Sequence, residues 1–133
     1  LLEKRRRPMT NDFEVIHSYS RAQALEDGVL IDITETTREA GIRFPVAVTN
    51  NVFASYVRIP AGVEAQDEKG RLWDIAFMLA IAIRRLGNGS SIINYELYVR
   101  NNNRRAELVR LKAVCGPGDD GKPVVTVMLH NED

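Results

Sequence analysis

Residues 72–86, LWDIAFMLAIAIRRL, form the one long, nearly all-apolar run of the chain, with charge only at Asp74 near its start and at Arg84 and Arg85 at its end. A helix that is apolar all round has to be enclosed by other elements. The run is too short for the 18 to 20 apolar residues or so that a membrane span needs. It therefore predicts one central buried helix, roofed on one side and seated on a sheet on the other.

The chain has 133 residues, enough for a single core without metals or disulfides. Hydrophobic and charged shares of 44% and 27% are those of an ordinary globular protein and argue against wholesale disorder. Formal charge is zero, but Lys4, Arg5, Arg6 and Arg7 crowd the first eight residues and leave the remainder slightly acidic. Such a body has no general attraction for a phosphate backbone, so a nucleic-acid role needs a local basic patch. Residues 1–8, LLEKRRRP, read as a disordered or vector-derived leader before Met9, and residues 9–133 as one domain. Cys115 is the single cysteine and cannot make an internal disulfide. With no signal-like opening segment, the reading is a cytoplasmic protein that does not engage a membrane.

Punctuation divides the first half into short pieces. Residues 13–16 read as a strand. SYSRAQALEDG reads as a helix, with Ser20 and Gln23 spaced as a capping box and Gly28 as its stop. Residues 29–33 alternate as a strand, Thr34 can cap a short helix over ETTREAG, and residues 44–48 are extended. A further helix over residues 49–57 ends before Pro60, and residues 61–70 read as a polar loop. Beyond the apolar run the period changes to two. Ile93, Tyr95, Leu97 and Val99 share one strand face; Val109, Leu111 and Ala113 follow on a second strand and Val125, Val127 and Leu129 on a third. The fold class is α+β, with N-terminal short strands and helices, the central helix at about 72–86, and a C-terminal three-stranded antiparallel meander. The apolar strand faces are the predicted seat of the helix, and helices 20–27 and 49–57 its predicted roof. If the third strand is a sheet edge, its uncharged VVTVML segment favours a homodimer through that edge.

Strand parity yields one candidate catalytic row. Pairing Arg100 with Ala106 puts Glu96 opposite Arg110, and pairing Gly116 with Val124 puts Arg110 opposite His130. Carboxylate, guanidinium and imidazole in a row could supply the base, the phosphorane-stabilising cation and the acid of metal-free ribonuclease chemistry. The architecture is similar to that of barnase-like ribonucleases and related toxins. The same row equally solubilises a half-exposed sheet. His17, in VIHSYSR, is placed in a way similar to the histidine that opens ADP-ribosyltransferase folds; its alternative is a backbone-bonded corner residue. Arg104 and Arg105, at the NNNRR turn, are candidate phosphate contacts or a solvated tip. Two histidines and one cysteine give no metal-ligand spacing, and no cofactor is implied.

VIHSYSRAQALEDGVLIDIT, REAGIRFPVAVT, DEKGRLWD and KAVCGPGDDGKPVVTVML together resemble a bacterial family carried by plasmids, phages and integrated elements, with no assigned function. The resemblance implies a mobile-element accessory protein. It singles out Tyr19, Arg21, Asp27 and Asp32 around His17 as binding candidates, together with Ser18, Gly28, Gly70, Arg71 and Trp73. With no strong catalytic signature in the chain, the expected function is a non-catalytic module that binds a host or element-encoded protein, or nucleic acid. The alternative is a small metal-independent nuclease-like or nucleotide-acting enzyme.

Overall fold

A computed structural model describes residues 19–86 and 90–133. The expected strand over 13–16 lies outside them. Five strands form one sheet in the order β1 (Leu30–Asp32), β2 (Val46–Thr49), β5 (Pro123–Leu129), β4 (Glu107–Pro117), β3 (Ile92–Val99). β2 and β5 run parallel and every other neighbouring pair is antiparallel. The C-terminal meander is thus present, but as three strands of a five-stranded mixed sheet. The helices are α1 (Arg21–Glu26), α2 (Thr34–Glu39), α3 (Asn50–Val52), which widens into a π-helical turn over Phe53–Val57, and α4 (Glu68–Leu86).

The capping expected at Ser20 holds. Ser20 and Gln23 close a reciprocal capping box on α1, and Gly28 follows at φ 78°. The Thr49 hydroxyl caps α3 by accepting from the Val52 N–H. At α2 the expected cap is displaced. Thr34 is the first helical residue, and its N–H and hydroxyl both donate to Asp32 Oδ1, at 3.1 and 2.5 Å.

The core is built on the odd-numbered faces of β3, β4 and β5. Ile93, Tyr95, Leu97, Leu111, Ala113, Val125 and Val127 are buried there against Ile75 and Leu79 of α4. Val46, Val48, Val52 and Val57 complete the same cluster. Among the described residues, only Ala24 and Ala47 of the buried apolar side chains stand outside it. They mark a thin second layer, in which α1 lies on the other face of the sheet: Arg21 reaches Thr126, whose parity is opposite to that of the core valines.

Three expectations are corrected. α4 begins at Glu68 instead of 72, because the Asp67 carboxylate accepts the Gly70 N–H at 2.6 Å and starts the helix inside what reads as loop. It is roofed by α2 and the π-turn, whereas α1 lies on the far side of the sheet, so Trp73, Phe77 and Leu86 stay exposed and the helix is not enclosed all round. β5 is not an edge. β2 pairs with it in parallel, so VVTVML has no free side for the homodimer that an exposed edge would favour. Among the described residues the edges are β1 and β3.

Candidate functional site

The sequence-derived candidates separate into those that build the fold and those that face an opening. Arg21 belongs to the first group. Its Nη1 donates to Thr126 Oγ1 at 2.6 Å and its Nη2 to the Val125 carbonyl at 2.9 Å, while its backbone N–H and that of Ala22 donate to the Asp119 carboxylate at 2.9 and 3.0 Å. The SYSRAQALEDG and GPGDDGKPVVTV stretches are therefore pinned to each other. Burial lowers the Arg21 guanidinium pKa, with Asp32 and Asp119 opposing. The Tyr19 hydroxyl donates to Asp27 at 2.8 Å, which raises the phenol pKa. Asp32 is occupied by Thr34. These contacts hold the fold together; His17 lies outside the described residues.

The two backbone N–H bonds hold the Asp119 carboxyl below the usual carboxylate range. A depressed native pKa contributes stability above the ordinary carboxylate pKa, and that stability is lost as pH falls through the native value. Asp119→Ala is therefore expected to lower the urea midpoint at neutral pH, and the gap to the parent to close in acid below the ordinary value of 3.8. Urea titrations of both proteins across that range check it.

At the other end of the sheet, the NNNRR turn is braced from several directions. Asn103 donates to the Gly62 carbonyl and accepts the Glu64 N–H, and Arg100 donates to the carbonyls of Asn102 and Glu64. Asn102 Oδ1 holds the backbone N–H groups of Arg104 and Arg105, whose side chains remain exposed. Those two arginines form an ordered cationic tip, distant from the Tyr19–Asp32 cluster in the chain and on different elements.

Of the row inferred from strand parity, the Glu96–Arg110 pairing is present. Glu96 faces Arg110 in the ladder, and Arg110 Nε lies 3.2 Å from Glu96 Oε2. Both side chains are largely exposed, so the pair itself is worth about 0–1 kcal/mol. The β4–β5 ladder ends at Leu111 with Leu129, one step before Arg110 and His130. Just beyond it, Glu132 accepts from Leu129 N, Thr49 Oγ1 and Asn51 Nδ2 at 2.8 to 2.9 Å. His130 lines one cleft with Glu96 and Arg110, of about 660 Å3, to which α4 contributes Met78, Ile81 and Arg85.

That cleft is one part of a longer groove between α4 and β3. A second cavity continues it through Asp74, Phe77, Met78, Glu96, Tyr98 and Leu108, and a third carries on past Asp74 and Tyr98 to Arg71 and Arg100. Shared lining residues join the three: Met78 and Glu96 at one junction, Asp74, Leu97 and Tyr98 at the other. Around it Trp73 and Phe77 stack at 5.8 Å, and Tyr98 and Leu108 are 67% and 50% exposed. Burial at the wall raises the Asp74 carboxyl pKa. The groove has no counterpart in a sequence reading, because Phe77, Met78 and Ile81 look like core; the one available signal was Tyr98 on the polar side of its strand.

Cys115 is half-buried against the core, and desolvation raises its thiol pKa, which makes it a poor nucleophile. Among the described residues, no three His, Cys, Asp or Glu side chains group as a metal site, and no helix is long and apolar enough to cross a membrane. Residues 9–133 match a family of unknown function, DUF6573. No curated protein and no solved structure matches the chain.

Proposed function

Taking as premise that the chain belongs to the DUF6573 family, whose function is unknown, we propose that it is a non-catalytic binding module that engages another macromolecule through the α4–β3 groove. The observation that carries this reading is the exposed apolar surface along the groove, Trp73, Phe77, Tyr98 and Leu108, on a chain whose core cluster does not include them. Exposed, contiguous apolar side chains rimmed by charge mark interaction surfaces. Across the groove, Arg85 and Arg110 are offset by Asp74 and Glu96, so the surface suits a protein better than a phosphate backbone. The resemblance of its motifs to proteins of bacterial plasmids and phages supports a mobile-element accessory role, in the cytoplasm, against a host or element-encoded partner.

Capture from bacterial lysate by the immobilised chain, with and without nuclease, tests this. A partner retained after nuclease and lost with Phe77→Glu is the expected result; nuclease-sensitive capture, or equal capture by the variant, would count against it. The gathering of Glu96, Arg110 and His130 at one cleft favours a second reading, a metal-independent ribonuclease. There, the parent cleaves RNA and His130→Ala does not; equal rates in both proteins, or none in the parent, dispose of that reading.

A further inference from the structure

The ladder of β3 shows which of its backbone groups are free. The Cys115 N–H donates to the Ser91 carbonyl at 2.8 Å, so residues 91 and 115 form a hydrogen-bonded antiparallel pair. Alternation then turns the N–H and C=O groups of Ile93, Tyr95, Leu97 and Val99 toward β4, and those of Ile92, Asn94, Glu96 and Tyr98 outward. Among the described residues only the Ile92 carbonyl of that outward set has a partner, the Ser90 hydroxyl. β3 is eight residues long, holds no proline and carries one charge, so it is neither short, proline-blocked nor heavily charged, as blunted edges usually are. The groove runs along this edge for nearly its whole length, with α4 as its wall.

We propose that the groove binds an extended polypeptide segment, which adds to β3 as a sixth, antiparallel strand. The inference rests on the binding reading above and specifies its ligand. An added strand would turn alternate side chains toward the α4 wall, where Phe77, Met78 and Ile81 make the surface apolar, and the others toward Glu96 and Arg110. α4 runs antiparallel to β3, because Arg71 bonds the Arg100 carbonyl while Arg85 shares a cleft with Asn94. An antiparallel ligand thus enters beside Asp74 and ends beside Arg85 and Arg110. The fitting segment has apolar residues at every second position, a basic residue toward its N-terminus and an acidic one toward its C-terminus.

The test is selection of displayed random peptides of about ten residues against the full chain, followed by amide exchange measured by NMR with the selected peptide. Alternating sequences with acid toward the C-terminus are expected, and they protect the amides of Asn94, Glu96 and Tyr98. Asn94→Pro removes an outward N–H without touching the native ladder, and is expected to weaken binding roughly tenfold or more. Met78→Glu, on the wall, should do the same and serves if the proline variant misfolds. Patternless peptides, or full affinity in both variants, overturn the proposal. So does a dimer by light scattering with those amides protected before peptide is added, which makes a second copy the occupant. A peptide or RNA oligonucleotide that perturbs groove side chains without protecting the amides overturns strand addition and leaves the binding reading standing; no binder at the groove removes both.

Discussion

Arg71→Met is expected to destabilise the chain by about 3 kcal/mol, a loss out of proportion to a single side chain in the first turns of a helix. Arg71 is only 5% exposed. Its Nε donates to the Tyr56 carbonyl at 2.9 Å, Nη1 to the Arg100 carbonyl at 3.0 Å and Nη2 to Asn101 Oδ1 at 2.5 Å. Asn101 in turn donates to the Ser55 carbonyl at 2.9 Å. One guanidinium therefore ties the end of the π-turn, the end of β3 and the start of α4. Its acceptors are neutral, and desolvation, with Arg100 nearby, lowers its pKa while Glu68 opposes. Hydrogen bonds to a charged donor are worth about 1.5–3 kcal/mol each, and a buried carbonyl left without a donor costs about 1–3 kcal/mol. Methionine fills the volume but supplies no donor. Arg71→Lys should recover little, because an ammonium cannot present the planar fork that reaches three acceptors on three elements. Chemical denaturation with an unchanged slope measures it. A loss below about 0.5 kcal/mol, for either variant, would mean that water replaces the guanidinium at no cost.

Arg71 also shows where sequence reading stops. DEKGRLWD stands out as a motif, but nothing in it says that its arginine is buried, since the three acceptors come from residues 15, 29 and 30 positions away. What was legible was local or periodic. A five-residue turn put Glu96 opposite Arg110, and that pairing is present, as is the assumed pairing of Gly116 with Val124. Period two gave the seat of α4, and the Ser20 capping box was readable from spacing. The parallel pairing of β2 with β5 was not legible. It joins segments some 80 residues apart through backbone bonds that carry no side-chain signature, and it converts an apparent edge strand into an interior one. The burial of β2 on both faces fits that interior place, although VAVT reads only as a short apolar run. Of the candidate site, the Glu96–Arg110 pair followed from register, whereas the groove required knowing which side of an apolar helix the fold leaves uncovered.

That distinction gives a pair of substitutions with sharply different outcomes on one helix. Leu79 and Phe77 lie two residues apart in α4 and look equivalent in sequence, yet Leu79 is fully buried and Phe77 is 43% exposed. Leu79→Ala removes a side chain from the centre of the cluster formed with β3, β4 and the π-turn, where neighbours cannot collapse freely, and is expected to cost about 3–4 kcal/mol. Phe77→Ala removes part of a surface stack with Trp73 and should cost only a few tenths to about 1 kcal/mol. The two costs are read from denaturation curves of the two variants beside the parent. If α4 served only to close the core, its exposed aromatic residues would be dispensable for every property of the protein. If the groove is a binding surface, Phe77→Ala leaves folding nearly intact and weakens the partner, while Leu79→Ala weakens folding first and binding only through it. Comparable stability losses at the two positions would show that the outer side of α4 belongs to the core, and would remove the surface on which the binding reading stands.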